Sequence, residues 1–161
     1  MSLLALSLAI ALQSTPEAEA SAVVERLHDL ASAADGPAYF ALFTPDARFV
    51  GTDASERWSV EQFRAYAMPY FSQGRGWTYH PRDRVVTMLA VPCGCVASFD
   101  ELLDNDAYGV TRGSGVLVKT DGGWKIQQYV LSYAVPNDVA RDVTALIRAH
   151  ETAAAPATPV P

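Results

Sequence analysis

Two charged residues on neighbouring predicted strands are the first candidates for chemistry in this chain. Glu101 lies in the predicted strand Cys95–Leu102, and Arg112 lies in the predicted strand Val110–Lys119. A buried carboxylate can act as a general base, and an arginine can bind an anionic ligand or stabilise negative charge that develops during a reaction. The alternative is an internal salt bridge or a surface pair. If Asp100 rather than Glu101 points inward, the same argument applies to Asp100.

A second set of polar residues could position a substrate. Asp53 and Trp58 follow the predicted strand Ala47–Gly51, which makes Asp53 a second candidate base. The alternative is that Asp53 caps a turn and Trp58 belongs to the core. Ser114 and Gln128 could orient a ligand through hydrogen bonds, although buried polar groups need such partners for structural reasons as well.

Aromatic side chains at helix and strand spacing could form the wall of a ligand pocket, with Phe49, Tyr66 and Phe99 as candidate ligand-binding residues. The alternative is an ordinary hydrophobic core. The complete set is Tyr39, Phe43, Phe49, Phe63, Tyr66, Tyr79 and Phe99.

The segment from 110 to 133 is typical of a β-hairpin, and its register decides which side chains reach a pocket. A three-residue turn at Thr120–Gly122, with Gly122 left-handed, would place Val118 opposite Trp124. Alternation from that pair predicts Arg112, Ser114 and Gln128 on the pocket face together with Trp124. A register shifted by one residue would reverse both faces and place Lys119 and Lys125 on opposite sides, which makes a poorer amphipathic pair. The first register is therefore predicted.

The opposite face of this hairpin is apolar at one end. It would carry Tyr129, Leu131 and Tyr133, which are too apolar for a free surface. This predicts that the outer face is covered by a partner subunit, as a homodimer, or by the C-terminal helix.

The order of the predicted elements indicates an α+β fold. Helical periodicity over Ser21–Ala34 and a short helix at Pro37–Phe43 precede the first strand. A capping box at Ser59–Gln62 opens a third helix. A run of strands follows, and then a final amphipathic helix begins near Asn137. Sequential strands joined by short turns pair antiparallel, and the early helices would cover one face.

The N-terminus is typical of a secretory signal peptide that lacks a basic start. The apolar run Leu3–Leu12 is too short to span a bilayer, and Ala18–Ala20 is a small-x-small site that predicts cleavage after Ala20. The predicted division is a signal peptide at 1–20, a domain at 21–138, a helix at 139–150 and a disordered Ala/Pro tail at 151–161. This predicts a periplasmic or secreted protein without stable membrane insertion after cleavage. The alternative is an ordinary N-terminal helix and a cytoplasmic protein.

The composition argues against several classes of partner. The formal net charge is −6 and there is no run of Lys or Arg, so nucleic-acid binding is not expected. Cys93 and Cys95 are spaced as C-x-C rather than C-x-x-C, and with only three histidines a metal site is not expected. They could be two small residues or a labile disulfide. No cofactor is expected. The glycine-rich stretch 111–115 is not a phosphate loop, because it lacks a P-loop lysine and a following helix.

The residues that complete the pattern are FVGTDASERW (49–58), FDELLD (99–104), RGSGVLVK (112–119) and GGWKIQQYVLSYAVPND (122–138). They resemble the SnoaL-like domains of the NTF2-like superfamily. The resemblance implies an α+β cone, a strongly curved antiparallel sheet with N-terminal helices packed on its concave face. It also implies an apolar pocket in the cone, and frequently a dimer through the outer face of the sheet.

The resemblance leaves the function open among three hypotheses. The first is a binding domain for a small apolar or weakly anionic molecule. The second is an isomerase, dehydratase or hydrolase with Glu101 or Asp53 as base and Arg112 stabilising charge. The third is a non-catalytic dimeric interaction module. Gln128 stands where many relatives carry a histidine, which argues against chemistry driven by histidine. The resemblance also places Asp53, Glu56 and Trp58 at the rim of the cone.

Overall fold

A computed structural model describes residues 14–154 of the chain. The apolar run Leu3–Leu12 and positions 155–161 of the predicted tail lie outside the described residues. The elements, in chain order, are α1 (Pro16–Ser32), α2 (Gly36–Phe40), β1 (Phe43–Val50), β2 (Arg57–Ser59), α3 (Val60–Phe71), β3 (His80–Met88), β4 (Val96–Asn105), β5 (Gly109–Thr120), β6 (Gly123–Tyr133) and α4 (Ala140–Ala154).

The strands form one curved, unclosed six-stranded sheet in the order β2-β1-β6-β5-β4-β3. Helices gathered ahead of a run of antiparallel strands confirm the predicted α+β class. One neighbouring pair differs from the prediction, because β1 runs parallel to β6. The chain crosses between these two strands through most of the domain, which is the kind of long connection that a parallel pair requires.

Local sequence explains where the helices begin. Ser59 caps α3 by accepting a hydrogen bond from the N–H of Gln62, and Gln62 accepts one from the N–H of Ser59, which confirms the capping box. Thr15 caps α1, and Pro16 occupies its first turn. Helix α1 therefore runs across the predicted cleavage point, and Ala20 is fully buried in it. Export and cleavage stay predictions.

The β5–β6 register is the slipped one, so the predicted register is wrong. The left-handed glycine is Gly123, with φ of 95°, rather than Gly122, and Thr120 therefore pairs with Gly123. The Thr120 hydroxyl fixes this turn, because it donates to the carbonyl of Gly123 at 2.9 Å and accepts from the N–H of Gly122 at 3.2 Å. This register places Lys119 on the same face as Trp124. Its charge stays solvated and paired there, because the ammonium extends past the Trp124 ring to Glu19, at 3.1 Å.

A β-bulge then shifts the pairing once more. Leu117 pairs with Ile126 and Val116 with Gln128, so Gln127 is the additional residue. The face of the sheet that packs against α1 and α2, here called the inner face, consequently carries buried side chains from three strands. They are Ala97, Phe99, Glu101 and Leu103 of β4, Thr111 and Leu117 of β5, and Trp124, Ile126 and Tyr129 of β6.

The C-terminal helix does not cover the sheet in the described part of the chain. Two of the apolar residues of α4 are exposed, Leu146 at 72% and Ile147 at 53%. Between residues 14 and 154, no helix is both long and apolar enough to cross a membrane. Cys93 and Cys95 are joined by a disulfide in the turn between β3 and β4.

Candidate functional site

A chain of charged side chains lies under helix α1. His28 Nε2 lies 2.6 Å from Glu101 Oε1, and Arg84 Nε donates to Glu101 Oε2 at 2.7 Å. Arg84 Nη1 also donates to Glu25 Oε2 at 2.7 Å. Glu101 is 1% exposed and His28 is 6% exposed, so both groups are shielded from bulk water. Each oxygen of the buried carboxylate therefore has its own nitrogen partner.

The sequence interpretation missed His28 because it considered histidines on strands only. His28 lies on the buried stripe of α1, four residues after Val24 and three before Ala31, and all three are buried. A polar ring on the apolar stripe of an amphipathic helix needs a buried partner, and this was the available clue. The stripe predicts that His28 points inward, but it does not name Glu101, which is 73 positions away.

The carboxylate fixes the tautomer of the imidazole. Glu101 is paired with Arg84, and an ionised carboxylate only accepts hydrogen bonds, so Nε2 of His28 is the donor, and the neutral form of the ring has Nδ1 unprotonated. Nδ1 has no hydrogen-bond partner in the described chain, and His28 lines the cavity described below. This is the arrangement by which a carboxylate orients a histidine for proton transfer.

Tyr129 brings a hydroxyl to the same place. A methyl group at Gly113 would lie 2.6 Å from Tyr129 Oη and 3.0 Å from Glu101 Oε1, so only glycine leaves room for both groups. Burial raises the pKa of Tyr129 well above its usual value, and the negative charge of Glu101 adds to that effect. The phenol is therefore neutral at physiological pH and keeps a proton to donate.

Arg84 forms salt bridges with both Glu101 and Glu25. Burial acts to lower its pKa, but the hydrogen bonds and charges of Glu101 and Glu25 outweigh burial and raise the pKa overall. Its Nη2 is buried without a partner among residues 14–154. The guanidinium thus neutralises Glu101 and holds it in position beside His28.

A cavity of about 160 Å³ opens beside His28 and Tyr129. Its floor is made of buried rings, and its mouth is made of partly exposed rings together with Glu56. The floor rings are Tyr39, Phe49, Phe63 and Tyr129. The mouth rings are Trp58, Tyr66, Trp77, Tyr79 and Tyr108. Glu101 lies behind His28 and does not line the cavity.

Several predicted site residues do meet at this cavity. Phe49, Trp58 and Tyr66 line it, and their rings stack, with centroids of Trp58 and Tyr66 4.9 Å apart. Phe99 is buried behind the floor, 5.9 Å from the ring of Tyr129. Glu101 points inward as predicted, while Asp100 is exposed.

Asp53 has the structural role of a turn cap rather than that of a base in the cavity. Its Oδ1 accepts from the N–H of Ser55 at 2.8 Å, its side chain is exposed, and it does not line the cavity. It therefore caps a turn at the rim.

The predicted inward positions of Arg112, Ser114 and Gln128 are wrong. The shifted register places all three on the outer face, where Arg112 and Gln128 are exposed. Glu101 consequently pairs with Arg84 rather than Arg112. Of the predicted pocket-facing hairpin residues, Trp124 is buried on the inner face.

The same shift changes the surface predicted for a dimer. Tyr129 is 3% exposed on the inner face, and Leu131 lines the cavity, so neither is free to contact a partner through the outer face. Tyr133 is exposed and packs edge-on against Tyr108. The homodimer itself stays a prediction. No group of three or more His, Cys, Asp or Glu side chains suited to a metal occurs in the described range 14–154.

Comparison with known proteins gives the family. Residues 20–136 match the model of the SnoaL-like domain. No curated protein matches the chain.

Solved structures share the fold at low sequence identity. A protein of unknown function from the DUF3225 family of Pectobacterium atrosepticum is 22% identical, with a TM-score of 0.61 over 76% of this chain and 94% of that chain. A putative dehydratase from the NTF2-like family of Streptomyces avermitilis is 12% identical, with a TM-score of 0.62 over 76% of this chain and 100% of that one. A putative scytalone dehydratase from Novosphingobium aromaticivorans is 12% identical, with a TM-score of 0.58 over 71% and 81% of the two chains.

Proposed function

Because the chain belongs to the SnoaL-like domain family, within the NTF2-like fold, we propose that it binds a small, ring-containing organic molecule in the aromatic cavity. The cavity itself carries this proposal. A cavity of about 150 Å³ lined by apolar side chains accepts benzene, so about 160 Å³ suits a molecule with one ring. Stacked rings such as Phe49 and Phe63, with centroids 3.8 Å apart, supply flat apolar walls.

A second candidate function is acid–base catalysis of the isomerase, dehydratase or hydrolase type. The hydrogen bond of 2.6 Å between His28 and Glu101 favours it, because His28 lines the cavity and this bond leaves Nδ1 as the ring nitrogen that can accept a proton. Glu101 is too buried to reach a ligand itself. The proposed base is therefore His28, and Glu101 is a positioning residue that stabilises the imidazolium formed when Nδ1 takes a proton.

Tyr129 supplies the complementary group in this mechanism. Its hydroxyl keeps its proton because the pKa is raised, and it can donate a hydrogen bond to an oxygen that gains negative charge when a neighbouring proton leaves. Some structural neighbours are named as putative dehydratases, and this supports the reaction class without giving a substrate.

Native mass spectrometry of the purified protein tests the binding proposal. The expected result is a co-purified small molecule, or a one-to-one complex with a small aromatic probe such as indole. Replacing Phe63, a fully buried floor residue, by Trp should fill the cavity and abolish probe binding. Equal binding by this variant would place the probe elsewhere and contradict the proposal.

Ring opening of 5-nitrobenzisoxazole tests the base directly. A base removes the carbon-bound proton, the N–O bond breaks, and a cyanophenolate forms, so the probe reports any accessible base in an aromatic cavity. The wild-type protein should accelerate the reaction over buffer, and His28→Ala should return it to background. His80→Ala is the matched control, because His80 is exposed on β3. Unchanged turnover by His28→Ala would remove His28 from the mechanism.

A further inference from the structure

Among the described residues, the cavity is lined by a negatively charged side chain but by no Lys or Arg, and the proposed function does not explain this difference. Nine of its sixteen lining residues are aromatic, so ring faces make up most of the wall. Within the described chain no Lys or Arg lines it, and Glu56 is its one carboxylate. Arg112, the residue predicted to bind an anion, lies on the outer face of the sheet. Arg84 is neutralised by two carboxylates.

The position of Glu56 at the mouth is built by the β1–β2 connection. Its carboxylate lies over Gly51, where the Cβ of any other residue would collide with Oε2. Oε2 accepts from the N–H of Asp53 at 3.2 Å, and the carbonyl of Glu56 accepts from the N–H of Gly51 at 2.9 Å. The half-buried side chain is therefore held against the cavity wall rather than extended into solvent. Its Oε1 makes no hydrogen bond with residues 14–154.

The carboxylate lines the mouth of the cavity together with five aromatic side chains. Trp58 stacks on Tyr66 at 4.9 Å and on Phe63 at 5.6 Å. Burial raises the pKa of Tyr79 to about 12, and the negative charge of Glu56 contributes to that rise. Its charge contributes in the same direction at Tyr66. The carboxylate thus acts electrostatically on the mouth.

We infer that the mouth of the cavity binds a positively charged amine, with the aromatic side chains of the mouth as its walls and Glu56 as its counter-ion. The faces of aromatic rings carry negative potential, and a cage of rings is the usual site for quaternary and alkylated ammonium groups. A cage that includes a carboxylate and excludes Lys and Arg disfavours anions by the same electrostatics. This inference rests on the proposed binding function and narrows its ligand class.

Other features of the molecule agree with a cationic ligand. The chain already uses cation–π contacts elsewhere: Arg64 lies 4.8 Å from the ring centroid of Phe40, and Arg75, in a neighbouring hollow that shares Tyr66 and Trp77 with this mouth, lies 5.3 Å from that of Tyr70. Neither arginine lines the cavity, so the cage is not filled by a cation of the described chain. The formal net charge of −6 also favours the approach of a cation.

A pair of probes with the same shape tests the charge alone. Choline and 3,3-dimethyl-1-butanol differ in a quaternary nitrogen against a quaternary carbon. Titration calorimetry, with quenching of tryptophan fluorescence as a second readout, should show choline binding at least tenfold more tightly. Glu56→Gln should reduce the affinity for choline about tenfold and leave that for dimethylbutanol unchanged. Asp53→Asn is the matched control, because it removes a charge from the same loop outside the cavity, and it should change neither affinity.

The outcomes separate this inference from the function on which it rests. Equal affinity for the two probes, or tighter binding of the neutral one, would overturn the cation site and leave a cavity for apolar molecules. The same holds if indole binds in the cavity but choline does not. Failure of indole, dimethylbutanol and choline alike would overturn both proposals. Equal loss of choline affinity in Glu56→Gln and Asp53→Asn would reject Glu56 as the specific counter-ion.

Discussion

Two arginine–carboxylate pairs join β3 to β4, and they sit in very different surroundings. Arg84 and Glu101 meet at 2.7 Å with side chains 12% and 0% exposed, under helix α1. Arg82 and Asp104 meet at 2.9 Å with side chains 43% and 47% exposed, on the outer face. The chemistry of the two pairs is the same, but water screens only the outer one. The inner pair can therefore hold a reactive histidine in place, whereas the outer pair is a surface contact.

One irregularity in β3 places the two arginines on opposite faces of the sheet. Residues two apart on a regular strand share a face, so Arg82 and Arg84 should point the same way. The register shifts between Arg82 and Val85, and Asp83 has φ of 54°, so the strand bulges there and Arg84 turns to the inner face. Asp tolerates this left-handed conformation better than most residues. The site under α1 thus depends on a bulge.

Removing the inner carboxylate should have the largest effect. Glu101→Gln leaves Arg84 with only the half-exposed Glu25 as counter-charge, so we expect the free energy of unfolding to fall by about 3 kcal/mol, the lower end of the range for a broken buried pair. Urea denaturation at pH 7 measures this. A loss below about 1 kcal/mol would show that the inner pair stabilises the fold no more than an exposed pair does, and it would contradict the difference argued here. If the variant does not fold, His28→Gln, which keeps the charge pair, gives a milder test of the same network.

Replacing the left-handed residue in the bulge should have the next largest effect. Asp83→Val places a β-branched residue in the left-handed region, which costs about 1–2 kcal/mol. Asp83→Gly is the matched control and should be neutral or stabilising. Urea denaturation of the two variants checks this order, and equal stability would show that the bulge does not require the left-handed residue.

Alkaline pH should destabilise the folded state through the two tyrosines of the cavity whose pKa is raised by burial, Tyr79 and Tyr129. The pKa of Tyr79 is raised to about 12 by burial, so the folded state keeps a proton that the unfolded chain releases near pH 10. Stability from this group is complete below pH 10 and is lost as the pH rises toward 12, by about 1 kcal/mol at pH 11. Tyr129 adds a loss in the same direction. Tyr79→Phe should reduce the loss between pH 9 and pH 11, and an unchanged slope would contradict the assignment.

Breaking the outer pair should have the smallest effect. Both side chains of Arg82 and Asp104 are nearly half exposed, so Asp104→Asn should change the free energy of unfolding by no more than about 1 kcal/mol. The residual effect should shrink further in 0.5 M NaCl, because salt screens exposed charges. A larger or salt-independent effect would show that the outer pair also contributes to folding.

Local patterns in the sequence were sufficient for most of the elements, although they did not predict the short strand β2, and for part of the site. The capping box at Ser59 and Gln62 placed the start of α3, and apolar periodicity gave the first helix and the run of strands. Phe49 and Tyr66 were predicted as pocket residues from ring spacing, and Trp58 from the rim position that the resemblance implies; all three line the cavity. Hydrophobic periodicity and capping act over a few residues, so they can be read without knowing the partner element.

Tertiary structure alone decided which polar groups meet. One position in the turn and the bulge at Gln127 set the register of β6, and this sent Arg112 and Gln128 outward and Tyr129 inward. The partnership of His28 with Glu101 joins a helix to a strand 73 positions away. The period of a strand is two residues, so a shift of one residue exchanges its faces while leaving its composition unchanged. The sequence determined by itself that an α+β domain would enclose aromatic side chains, and packing determined which charges the enclosure contains.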